Sequence, residues 1–179
     1  LPLLRMLRTK TANHSCPVHA DGGVGRLGYN SSGMVPNPVQ RAHLVLASRF
    51  ENIEIAERTL VDLCVQSGCD GDDRYWLVTA LREAVANAIR HGNRQDPTLD
   101  VRLDFSIENG DVTIRVEDEG EGFDPSTVPD PTDQTNLLQP SGRGIFYMRQ
   151  FMTHVEFSRA PGGGTAVTMV RCLQPETRS

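Results

Sequence analysis

The polar and apolar residues of this chain follow two periods that take turns along it. "RAHLVLASR", residues 41–49, alternates with the period of two that marks a half-buried strand. From Glu51 to Gln66 the period lengthens: Ile53, Ala56, Leu60, Leu63 and Cys64 recur at helical spacing, and Ser67-Gly68 supplies a stop. A second helix opens at "DGDD", where Asp70, Asp72 or Asp73 can cap free backbone N–H groups, and runs to about His91 before Gly92-Asn93 ends it. Its apolar face reads Leu77, Leu81, Ala84, Val85 and Ala88.

The period of two returns in "LDVRLDFSIE" (99–108) and "DVTIRVEDE" (111–119), joined by Asn109-Gly110, a strong hairpin signal. A loop of about 18 residues, Asp124 to Ser141, then carries Pro125, Pro129, Pro131 and Pro140. A connection of that length without elements of its own fits a lid over a site better than a simple turn. "GRGIFYMRQFM" predicts a third helix, and "HVEFSRAPGGGTAVTMVRCL" a second hairpin around Pro161 to Gly164. Few helices gathered beside such strands predict an α+β fold: a two-layer α/β sandwich with a mixed, mostly antiparallel sheet and helices on one face.

Composition narrows the function classes. At 179 residues and 38% apolar content the chain is the size of one soluble domain. A formal charge of −5 argues against a general nucleic-acid or anionic-membrane binder, so any basic site must be local. Cys16, Cys64, Cys69 and Cys172 lack metal-ligand spacing, which predicts no zinc site and reduced thiols in a cytoplasmic protein. Residues 1–38, rich in Gly, Ser, Asn and Pro after a short basic start, are expected to be an extension; the folded domain is expected over 39–174, with 175–179 a tail. "GGVGRLG" in that extension lacks the lysine-threonine end of a phosphate loop.

Candidate chemistry begins on the second helix. Glu83 and Asn87 are four residues apart and project from one face, with Thr79 before and His91 after. Alone, this stripe reads as a solvated flank. An Asn carbonyl can ligate Mg²⁺, a hard ion that takes oxygen ligands, and a carboxylate one turn away can accept the proton of an attacking hydroxyl. "DEGEGFD", residues 118–124, ends a strand with glycines that admit a flat ligand, and Asp118 can accept a hydrogen bond from an exocyclic amine. "SGRGI" lies at a helix start suited to phosphate, and "GGGT" adds the hydroxyl of Thr165. Each piece is common by itself; the ordered set is not.

That set resembles the GHKL ATPase superfamily with its Bergerat nucleotide-binding fold. Within it, "LREAVANAIRHGN" is similar to the helix of the anti-sigma-factor serine/threonine kinases of the RsbW/SpoIIAB type. The resemblance spans residues 41 to 173 and implies ATP and Mg²⁺ as cofactors, with Asn87 on the metal and Glu83 as catalytic base. It further implies that Asp118 binds adenine, that Gly120 and Gly122 form the adenine-side hinge, and that Thr165 supports the base pocket. Gly142, Gly144 and Ile145 would contact phosphate, with His91 nearby. The implied partners are a STAS-domain anti-anti-sigma factor, a sigma factor and a second copy of the chain. In one respect the chain departs from the pattern: Pro140 stands where relatives often place an arginine before the phosphate box, leaving Arg143 as its catalytic substitute. Two alternatives share the fold, an ATP-dependent binding module without transfer and the detached catalytic domain of a histidine kinase. Trp76, beside Tyr75, is expected in the core or on a partner surface.

Overall fold

The computed structural model describes residues 39–69, 71–122 and 143–173. Strand β1 (Gln40–Ala47) leads through a 3₁₀ turn (Phe50–Asn52) into helix α1 (Ile53–Ser67). Helix α2 (Gly71–Asn87) follows and is continued by a π-helical turn, Ala88–Gly92. Strands β2 (Asp100–Glu108) and β3 (Asp111–Asp118) come next, then helix α3 (Arg143–Phe151) and strands β4 (His154–Arg159) and β5 (Thr165–Cys172). The strands form one sheet in the order β1-β2-β3-β5-β4. The predicted α+β class is found, and the sheet expected to be mixed is antiparallel at every pairing.

Register explains where the core sits. Leu103 lies between Leu44 and Val116, and Phe105 between Ala42 and Ile114, so these side chains share one face. Against that face pack Leu60 and Leu63 of α1, Leu77, Leu81 and Val85 of α2, and Met148 of α3. All five residues expected on the apolar face of the second helix are buried. Each fully buried leucine is worth about 1.5–3 kcal/mol over an exposed one, which is why the period of apolar positions dictates the layer. The other sheet face stays polar, with ion pairs between His43 and Asp104 (2.8 Å) and between Arg115 and Glu117.

Local chemistry terminates the elements where the sequence suggests. Gly68 takes a left-handed conformation (φ 75°) and Cys69 N–H donates to the Cys64 carbonyl at 2.9 Å, closing α1. Asn109 and Gly110 both have positive φ (53° and 87°), as a two-residue primed turn between β2 and β3 requires. The carboxylate of Asp73, a candidate cap, instead accepts from the Arg171 guanidinium and ties α2 to β5; Asp70 lies outside the described residues. Trp76 is half-buried and stacks on Phe151 of α3, with ring centroids 3.6 Å apart.

Candidate functional site

The alternation of β3 carries straight into the site. Val112, Ile114 and Val116 face the helices, so Asp118, two residues further on, faces them too and is only 5% exposed. A carboxylate at a core position must find donors. Its Oδ1 accepts from the backbone N–H groups of Gly120 (3.0 Å) and Thr165 (3.1 Å), and the Thr165 hydroxyl joins them. Burial pushes the Asp118 carboxyl above its usual range, against the opposing pull of those donors. Next to it, Glu119 is held below the usual range by the N–H of Asp100 and by Arg102. Two adjacent acids are thus driven in opposite directions, Asp118 by burial and Glu119 by its ion pair and backbone donor.

Three glycines make room around Asp118. A Cβ on Gly92 would overlap its carboxylate, and one on Gly164 would stand 2.5 Å from Oδ1 and run into the backbone carbonyl. A Cβ on Gly120 would collide with the Gly92 carbonyl group. Gly122, at φ 76°, lies over the backbone of Gly163 and Gly164. The π-helical turn brings Gly92 to this place. Asn93 N–H reaches back five residues to the Ala88 carbonyl (2.7 Å), widening the helix end just after Asn87.

At the other end of that turn stand Glu83 and Asn87, both half-buried. The backbone of α3 crosses them closely: a Cβ on Gly144 would be 2.5 Å from Glu83 Oε2 and 3.4 Å from Asn87 Nδ2. Asn87 precedes the π-helical turn and Gly92 ends it, so one continuous helical segment carries both clusters. Of the stripe predicted on α2, Thr79 does not take part, because its hydroxyl donates to the Tyr75 carbonyl of its own helix at 2.9 Å. His91 is exposed, and Ile145 is half-buried against the core. Asp124, Pro140, Gly142 and the side chain of Arg143 lie outside the described residues.

Asn93 is what sequence reading missed. It reads as a helix stop, yet it is 1% exposed and its side chain bonds at the ends of three strands, to the residue after β1, the first of β2 and the residue after β3: Nδ2 to Ser48 Oγ (2.5 Å) and to the Asp100 carbonyl (2.8 Å), Oδ1 from Glu119 N–H (2.8 Å). A polar residue after a glycine at a helix end looks the same whether it ends the helix or anchors a site. No periodic signal separates the two.

A buried, glycine-flanked carboxylate beside a helix bearing Glu83 and Asn87 is the arrangement that the sequence motifs led to, and comparison with known proteins gives the class. The family of histidine kinase-like ATPase domains matches residues 46–171, and the chain belongs to it. An anti-sigma F factor of Geobacillus stearothermophilus is 35% identical over 127 residues, 70% of this chain and 87% of that protein. Those of Oceanobacillus iheyensis and Bacillus subtilis are 31% and 29% identical over 133 residues, covering 90% and 91% of their lengths. Among solved structures, the crystal structure of the RsbU and RsbW domains of a Mycobacterium tuberculosis protein superposes with a TM-score of 0.56 at 19% identity. That likeness, over 76% of this chain and 33% of the longer one, is one of fold. The family implied by the ordered motifs is therefore the family found.

Proposed function

We propose that this chain is an ATP-dependent anti-sigma factor with protein serine/threonine kinase activity, which phosphorylates a STAS-domain anti-anti-sigma partner and, in the alternative complex, holds a sigma factor inactive. The observation that carries the reading is the Asp118 carboxylate, buried behind Gly92, Gly120 and Gly164, the first of which ends a helical segment that also carries Glu83 and Asn87. Two backbone donors occupy Oδ1 and the Thr165 hydroxyl adds a third bond, so the carboxylate, with about four lone-pair sites, keeps acceptor capacity for the exocyclic amine of adenine. The glycines admit the flat base, Thr165 supports its pocket, and the phosphates run toward Asn87 and the start of α3.

There Gly144 and Ile145, in the first turn of α3, offer backbone N–H groups, and Gly142 of the same motif is assigned to phosphate by the family resemblance alone. Arg143 adds positive charge, standing in for the arginine that Pro140 replaces, and His91 adds a polar ring from the end of the same helical segment as Asn87. The donor set suits Mg²⁺: Asn87 supplies one neutral oxygen, and among the described residues no cluster of three His, Cys, Asp or Glu cages a metal by itself. When bound, the ion neutralises phosphate charge. Glu83 accepts the proton of the partner's hydroxyl as its oxygen bonds to the γ-phosphorus and ADP leaves with the bridging oxygen. A homodimeric, cytoplasmic assembly belongs to the same reading and rests on the family resemblance. Among the described residues no helix is long and apolar enough to cross a membrane.

The test is to incubate the protein with Mg-ATP and its cognate STAS protein and to map phosphate by mass spectrometry. The wild type should yield phosphoserine or phosphothreonine, and Glu83→Gln should slow transfer about 100-fold or more while nucleotide still binds. Absence of a phosphorylated partner with the wild type would sink the kinase claim. It would leave the second reading, nucleotide-dependent capture without transfer, which Pro140 favours.

A further inference from the structure

We propose that Asn93 is a positioning residue for base recognition, aiming the Asp118 carboxylate from the far side of the strand. The inference rests on the nucleotide reading above and adds a residue which that reading does not use. The amide orientation is dictated by chemistry: Oδ1 must meet the Glu119 N–H, and Nδ2 must meet the Asp100 carbonyl and Ser48 Oγ. Both amide hydrogens are therefore used, and the residue's own N–H closes the π-helical turn on Ala88. One buried side chain joins the helix bearing Asn87 to the end of β1, the start of β2 and the end of β3.

The bond to Glu119 N–H is the critical one. That N–H belongs to the peptide unit joining Asp118 to Glu119, so holding it holds the ψ angle of Asp118 and, with it, the direction of its side chain. The same peptide unit's carbonyl is pressed against Gly164, which leaves it no free side on which to rotate. Without the Asn93 amide, the peptide would still be tethered through the Glu119 side chain to Asp100 N–H and Arg102, but those bonds act beyond its Cα. Asn93 supplies the side-chain hydrogen bond to the peptide plane itself, opposite the packing of Gly164 on its carbonyl, and through its backbone acts on the helix turn that packs Gly92 on the carboxylate.

A positioning role makes a prediction that a merely structural one does not. Affinity by calorimetry on the full chain is compared for ATP and for purine riboside triphosphate, which lacks the 6-amino group. The wild type should prefer ATP about tenfold or more, the size of one well-aligned hydrogen bond to a charged acceptor. Asn93→Ala should lose most of that preference, weakening ATP about tenfold while leaving the analogue within about twofold. Ser48→Ala, which removes only one partner of the amide, should shift the ratio in the same direction by roughly twofold to threefold. An Asn93→Ala protein that keeps the wild-type ratio, or weakens both ligands equally, overturns the proposal. Should that variant fail to fold, an unchanged ratio in Ser48→Ala overturns it instead. A wild type that does not distinguish the two nucleotides would refute the assignment of Asp118 as base reader, and this proposal with it.

Discussion

The two clusters on either side of the π-helical turn are built by opposite means. On the Asp118 side, bonds or backbone contacts engage all five residues from 118 to 122: Asp118 with Thr165, Glu119 with Asn93, Asp100 and Arg102, Gly120 with Gly92, Glu121 with Arg94 at 2.6 Å, and Gly122 with Gly163. At the Glu83 end, among the described residues, no side-chain hydrogen bond engages Glu83 or Asn87, and the α3 backbone meets them by packing alone. The difference separates two tasks. A rigid base is read by a site fixed in advance, which lowers the entropy lost on binding, whereas a transferring phosphate and its ion complete their own coordination.

The largest effect that would sharpen this contrast is expected at Asn87. Asn87→Ala removes the proposed Mg²⁺ ligand, so Mg-ATP affinity should drop about 100-fold in calorimetry with little change in melting temperature. Unaltered affinity would break the assignment of the phosphate end. Next comes a paired glycine experiment. Gly164→Ala pushes a methyl into the Asp118 backbone, which cannot yield, and should cost about 2–4 kcal/mol in denaturant unfolding. Gly144→Ala meets instead the far end of Glu83, which can swing away. It should cost less than about 1 kcal/mol in stability while slowing phosphoryl transfer. Equal losses of stability would erase the distinction between a locked and an unlocked end.

The smallest and most diagnostic change is Asp118→Asn. The Asn Oδ1 can keep both backbone donors, while the position of Oδ2 becomes an N–H₂ that faces the adenine amine, so ATP should weaken about tenfold or more. Stability should move the other way. Burial raises the carboxyl in the folded state, so its contribution to stability is fully present at low pH and is lost as pH rises through that raised value. The neutral amide escapes this loss, and the variant should melt higher than the wild type near neutral pH, the gap closing as pH falls. In the wild type, ATP affinity should also fall on acidification through the same range, because a protonated carboxyl is a poorer acceptor for the amine.

Much of the site was legible before any coordinates. The sequence put Asp118 at the end of a strand, directly before its glycines, and the spacing of Glu83 and Asn87 put them on one side of a helix; that Asp118 is turned to the inner face came from the structure. Thr79 shows the limit of such reasoning: helical spacing aligned it with the stripe, but a hydroxyl on a helix can satisfy itself on the carbonyl one turn back. The π-helical turn was equally invisible, since one extra residue in a turn leaves no mark on a short apolar period. Asn93 was missed for a related reason, its partners Ser48 and Glu119 being 45 and 26 residues away.

By itself, then, the order of polar and apolar residues determined the elements, the layer that each strand turns toward and the list of groups available for chemistry. Those depend on local periods of two and 3.6 residues, which any stretch of chain carries within itself. Only the tertiary structure decided that Gly92 would come to rest on Asp118, that Gly144 would lie across Glu83, and that an apparent stop residue would hold three strands together. Such contacts arise from register and close packing between distant segments, and their cost or benefit exists only once both partners are buried.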